Sequence, residues 1–287
     1  MLRFILLALA MSFPLFGVAQ IIAQSPAEVE RIGLVKVLQQ KFPGTGPADW
    51  SFGAEALSSA RGATPVAIPF NPDNATNSAD ILAIGKKQWD RKFKDGKSFT
   101  HCFPNGGKRV ASTYPQYDPK AKLVVTLEIA LNRCLQLHGE AEIAGTSAAA
   151  MGPLAAYFRS LAVDQKLAVR VTGSGAMDKF MSGKSLFQRR IGQQDQACAS
   201  CHVRYAGSSY GNGGLSPAVG QAVSWPRIEP GGAVRTLQMQ YRICIKRTGA
   251  EPFDLGSDEL NNLEYYHAYL SNGLGLSRLL PVQTFRN

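Results

Sequence analysis

The stretch from Gln194 to Ser208 reads QDQACASCHVRYAGS, and Cys198-Ala-Ser-Cys201-His202 inside it has the spacing C-x-x-C-H. That is the attachment signature of a c-type haem: two thiols bond the porphyrin edge and the adjacent imidazole takes one axial face of the iron. Other uses of these residue types fit less well. A zinc site needs about four ligands, and no second C-x-x-C or H-x-x-x-H is present. A redox dithiol needs a βαβ context, which the flanks do not offer. The preceding AMDKFMSGKSLFQRRIG reads as a helix, with Met177, Phe180, Met181 and Phe187 on one side. One covalently bound haem c is therefore expected, and the residue on the far face of its iron decides between electron carriage and chemistry.

Residues 1–19, MLRFILLALAMSFPLFGVA, have a basic start at Arg3, an apolar core and a small-residue ending, the form of a cleaved secretory signal. Export is coherent with the motif, because haem is joined to C-x-x-C-H outside the bacterial cytoplasm. The expected location is periplasmic, with no membrane span once the signal is gone. The formal charge of +10 points to an anionic substrate or an acidic partner, and the compartment argues against nucleic acid.

Residues 20–80 are rich in Gly, Pro, Ser and Asn and read as a loop-rich N-terminal extension with one short helix near Ala27–Gln40. Periodic segments begin near Asp80. From there the chain repeats itself weakly but in order. GKKQWDRKFKDGKSFTHC (85–102) resembles GKSLFQRRIGQQDQACASC (183–201); both open Gly-Lys, place Trp89 or Phe187 four residues after the glycine, and end at cysteine. VTLEIALNRC (125–134) parallels RTLQMQYRIC (235–244), and LAAYFRSL (154–161) parallels LEYYHAYL (263–270). The fold class this implies is mainly α, with two cytochrome c-like domains. The first, 81–170, is degenerate and without haem; the second, 171–287, binds it.

The chain has five cysteines. Cys198 and Cys201 are committed to haem. Cys102 and Cys134 hold the vacant attachment and ligand positions of the first half, so their sulfurs are placed to form a disulfide; closing such a loop contributes roughly 3–4 kcal/mol in the chain-entropy model. Cys244 is left at the ligand position of the second half. Its rivals after His202 are Met239 and His267. Met239 precedes Cys244 by five residues, which on a helix turns it about 140° away. Methionine would raise the haem potential and thiolate would lower it.

GKSFTHCFPNGGKRV, YPQYDPKAKLVVTLEIALNRC, the single C-x-x-C-H and QMQYRICIKRTGAEPFDLGSDELNNLEYYHAYLSNG resemble the SoxA family, the cytochrome subunit of SoxAX, in its single-haem form. The resemblance runs from about Asp80 to Gly273. It implies an L-cysteine S-thiosulfotransferase that, with the smaller cytochrome SoxX, joins thiosulfate oxidatively to a cysteine of the carrier SoxYZ. It also implies Cys244 as distal ligand and catalytic residue opposite His202, and a Cys102–Cys134 disulfide. Arg242, Lys246 and Arg247 flank Cys244, and such a setting favours a nucleophilic thiolate. Arg247 shares the Cys244 face at i+3 and is the expected sulfonate-binding group. Members of the family usually have arginine four residues before the ligand cysteine; Gln240 stands there, the second expected substrate contact. A plain electron-transfer cytochrome with no bond-making at the haem is the alternative.

Overall fold

In the computed structural model, residues 24–57, 72–145, 147, 149–210, 213–229, 231–277 and 280–281 are described. The signal expected at 1–19 lies outside them. Among the described residues no helix is long and apolar enough to cross a membrane.

Helix α1, Pro26–Lys41, starts where Ser25 caps it, its hydroxyl accepting from the Glu28 amide, with proline at the first helical position. It packs on the second half. Glu30 accepts from Lys184 at 2.7 Å and from the Tyr266 hydroxyl at 3.0 Å. A four-residue helix α2, Pro47–Trp50, buries Trp50. Helix α3, Pro72–Asp90, begins earlier than the periodicity predicts, because Pro72 opens a polar first turn that carries no apolar stripe.

The halves are built alike. In the first, the hairpin of β1 (Gln116–Asp118) and β2 (Leu123–Val125) leads into α4, Leu127–Leu137, capped by the Thr126 side chain. Helix α5, Met151–Ser160, then returns across α3. In the second, α6, Ser174–Gln188, precedes the haem motif, and a small hairpin of β3 (Ser209–Tyr210) and β4 (Gly213–Gly214) follows it. The hairpin of β5 (Arg227–Ile228) and β6 (Val234–Arg235) leads into α7, Leu237–Arg247, capped by Thr236. Helix α8, Asp258–Leu270, returns across α6, and β7, Leu280–Pro281, adds to β5 in parallel.

The two helix crossings share one device. A Cβ on Gly85 would stand 2.1 Å from the Pro153 carbonyl oxygen and 2.6 Å from Tyr157 Cβ. A Cβ on Gly183 would stand 1.9 Å from the Asn262 carbonyl oxygen and 2.8 Å from Tyr266 Cβ. Both glycines let backbones touch where any side chain would hold them apart. Their aromatic partners fill the next turn. Trp89 lies 4.9 Å from Phe158 and 5.4 Å from Phe99 by ring centroid, and Phe187 lies 5.3 Å from Tyr266. The buried stripe of α6 runs through Ala176, Phe180, Gly183 and Phe187, which corrects one expectation: Met181, 100° around from Phe180, is 47% exposed.

One continuous apolar core joins residues of both halves. The connection between them is pinned to the C-terminal end of α8, where the Asn272 amide accepts from the Val169 amide and donates to its carbonyl, at 2.9 and 2.8 Å. Arg159 of α5 stitches the halves from inside, donating to the Ala111 carbonyl of the first and the Ala222 carbonyl of the second, each at 2.9 Å.

Candidate haem and sulfur site

After α6 the chain makes a short bridge between Ile191 and Gln196 and docks on the end of α7. Gln194 N–H donates to the Thr248 carbonyl at 2.9 Å, and a Cβ on Gly192 would meet that oxygen at 2.2 Å. The contact brings the haem motif against α7. Ser200–Arg204 is a π-helical turn, a geometry that recurs at functional sites because it re-aims side chains by a fraction of a turn. Lys41 at the end of α1 donates to the carbonyls of Val203 and Arg204, capping it.

His202 is oriented from behind. Its Nδ1–H donates to the Ser216 carbonyl at 2.8 Å, and the Ala218 amide donates to the His202 carbonyl at 2.9 Å. With Nδ1 so engaged, Nε2 is the nitrogen turned toward Cys244 and available to a metal, the usual arrangement by which an outer partner sets tautomer and ring plane. Facing it is Cys244, from the middle of α7 and within hydrogen-bond reach. Burial pushes the Cys244 thiol up, but His202, the Gln240 amide and the Arg247 charge together outweigh it and the net direction is down. Burial likewise disfavours charge on His202, and Cys244 with the Ser216 carbonyl reverses it. Cys198 behaves oppositely: burial and the neighbouring Cys244 push its thiol up to about 12. Of the three cysteines around His202, Cys244 alone is shifted down; Cys198 and Cys201 are raised.

The rivals for the far ligand position are otherwise engaged. The Met239 sulfur turns back to accept from the Thr236 amide at 3.5 Å. His267 is buried, and burial, with His202 beyond, lowers its pKa to about 4. Neutral, its Nε2–H donates to the Ala218 carbonyl at 2.8 Å and its Nδ1 accepts from the Tyr241 hydroxyl at 2.7 Å. Neither nitrogen is free for iron.

The remaining expected residues divide. Arg247 is exposed and acts on Cys244 through its charge, whereas Arg242 donates to the Phe253 carbonyl at 2.7 Å and serves the loop after α7. Gln240 Nε2 donates to Cys244 Sγ at 3.3 Å. In the first half Cys102 and Cys134 are joined by a disulfide with Cα atoms 5.8 Å apart. His138 lies beside them, stacked on Phe93 and held by Asp95, but sulfurs bonded to each other are poor metal ligands. His101, one residue before Cys102, accepts from the Ser98 amide and caps a turn.

The donor set suits haem. Two thiols and an imidazole share one turn, and the Cys244 sulfur opposes the imidazole. A groove of about 200 Å³ lined by Gln194, Gln196, Cys201, Tyr205, Ser208 and Leu215 opens beside the attachment thiol. Sequence reasoning missed the Ser216 carbonyl, which carries no side-chain signal, and the Lys41 cap, which spans most of the chain.

A repeated helical fold with this site defines a c-type cytochrome in which one half keeps its haem motif and the other has lost it. The model of the SoxA/TsdA cytochrome c domain matches residues 84–167 and 182–276, one segment in each half. The L-cysteine S-thiosulfotransferase subunit SoxA of Chlorobaculum tepidum is 38% identical over 194 residues, 67% of either chain. SoxA of Allochromatium vinosum is 29% identical over 282 residues, 96% of either chain. The crystal structure of SoxXA from P. pantotrophus shares the fold at a TM-score of 0.66, with 24% identity over 73% of this chain and 80% of that one. The chain belongs to the SoxA family of L-cysteine S-thiosulfotransferase subunits.

Proposed function

We propose that this chain holds one haem c through Cys198 and Cys201, with His202 and Cys244 as axial ligands, and joins thiosulfate to a cysteine of the carrier SoxYZ in the periplasm, paired with SoxX. The haem-binding half is 171–287 and the haem-less half is 81–170. The observation that carries this reading is Cys244: a sulfur facing His202, its thiol pKa lowered, with an amide donor from Gln240 and the charge of Arg247 beside it. Electron carriage alone needs neither.

The balance is simple. A carrier thiol and the thiosulfate dianion form one S–S bond, releasing one proton and two electrons. When bound, the haem supplies a one-electron outlet, with SoxX next in line. The rest falls to side chains. Arg247 offers planar donors to the sulfonate oxygens, Gln240 donates to sulfur, and Cys244 presents a soft thiolate where the sulfane sulfur arrives. The clustered cations offset the repulsion between two anionic reactants.

Cys244→Met tests the reading. Covalent attachment and His202 are untouched, so the variant should fold and load haem. Its spectrum should change toward His/Met ligation, and the mass gain of one thiosulfate on the carrier should fall at least a hundredfold, the scale for loss of a reacting group. Unchanged spectrum and activity would leave only an electron carrier.

A further inference from the structure

Behind the sulfur lies a chain of contacts that the motif does not contain. The Glu229 carboxylate accepts from Arg235 Nε, Arg235 Nη1 donates to Gln240 Oε1 at 2.7 Å, and Gln240 Nε2 donates to Cys244 Sγ at 3.3 Å. Arg235 ends β6 one residue before the Thr236 cap of α7, so the strand's register and the helix start together set its distance from Gln240. A guanidinium has only donors. An amide beside it must present oxygen, and its N–H groups then point the other way, at the sulfur. Without Arg235 the amide is free to turn over, and a turned amide sets its oxygen against a thiolate, which repels.

We propose that Arg235 is the positioning residue of the sulfur centre: it clamps the Gln240 amide in the one orientation that delivers an N–H to Cys244. With Glu229 balancing its charge, Arg235 supplies orientation more than field. The inference rests on the reading of Cys244 as the sulfur ligand of the haem.

The test is a double-mutant cycle on the haem-loaded protein, read by haem midpoint potential. Q240L removes the N–H and should lower the potential, since a thiolate relieved of a hydrogen bond donates more strongly to iron. R235M should move it the same way, by at least half as much, and the double variant should match Q240L alone because the residues act in series. R235K should recover part of the shift. In a Cys244→Met background R235M should do nothing, an outcome a merely structural role would not give. Additive shifts, an unmoved potential in R235M, or a shift that persists in the Cys244→Met background would overturn the proposal. The thiosulfate KM, read in parallel, should rise several-fold in R235M. A moved potential with an unmoved KM keeps the clamp and counts against thiosulfate as the ligand's partner.

Discussion

Cys244 and Arg247 stand three residues apart on α7, and their division of labour is a matter of which atom each controls. Cys244 is held by contacts to His202 and Gln240, whereas Arg247 acts on it by charge from an exposed position. Arg247→Gln should therefore leave the haem spectrum nearly unchanged while raising the thiosulfate KM about tenfold, the low end for a hydrogen bond to a charged partner because solvent screens it. Steady-state conjugation at two ionic strengths checks this: the difference between parent and variant should shrink as salt rises. A large spectral change would mean that Arg247 shapes the ligand field instead.

At the scale of elements, the repeat rests on two glycines. Alanine is the better helix former by about 1 kcal/mol, so an exposed glycine in α3 or α6 would gain from substitution. Here the new methyl would stand 2.1 Å from the Pro153 carbonyl oxygen in α5, or 1.9 Å from that of Asn262 in α8, and backbone cannot yield as a flexible side chain can. Gly85→Ala and Gly183→Ala should each destabilise by roughly 1–2 kcal/mol net, read from urea midpoints, with Gly183→Ala also lowering haem loading. The same glycines mark what was legible in the sequence. Gly-Lys with an aromatic one turn later was legible as a mark of the repeat; that the two glycines seat helix crossings is seen only in the packing. The α6 face was read one residue wide, because Met181 is apolar and adjacent to Phe180 yet points outward. The strap made by α1, the Ser216 carbonyl and the Arg235–Gln240 contact join residues by tertiary register, which leaves no periodic trace. Gln240 was legible as a departure from the family pattern, but its partner was not.

At the scale of the whole molecule, the joint between the halves buries charge. Arg159 reaches carbonyls on both sides, and Glu128 of α4 and Glu264 of α8 lie in its field around a cavity of about 40 Å³, room for a water or two. Burial pushes Glu264 up to about 8, with Glu128 adding to the rise and the Gln238 amide and Arg159 opposing it; Glu128 is raised by burial as well. A folded-state pKa above the unfolded value means that the native chain keeps a proton the unfolded chain has lost. The associated stability is complete below the ordinary carboxylate range, near 4.5, and is lost as pH rises toward 8. Asp118 and Glu28, lowered by Arg133 and Arg31, have the opposite sign, and their contribution fades only as pH falls below that range. His267, lowered to about 4, also has the opposite sign, its contribution growing as pH rises toward its ordinary 6.5. The contribution of Glu264 itself should decline by a few kcal/mol between pH 5 and 8, since each tenfold difference in proton affinity between the folded and unfolded chain is worth about 1.4 kcal/mol. Glu264→Gln keeps the shape and an acceptor for Gln238 but cannot ionise, so it should flatten the decline and be more stable than the parent at pH 8 and nearly equal at pH 5. Urea midpoints across that range decide it: a Glu264→Gln curve parallel to the parent's would remove Glu264 as the group that makes the joint between the halves sensitive to pH.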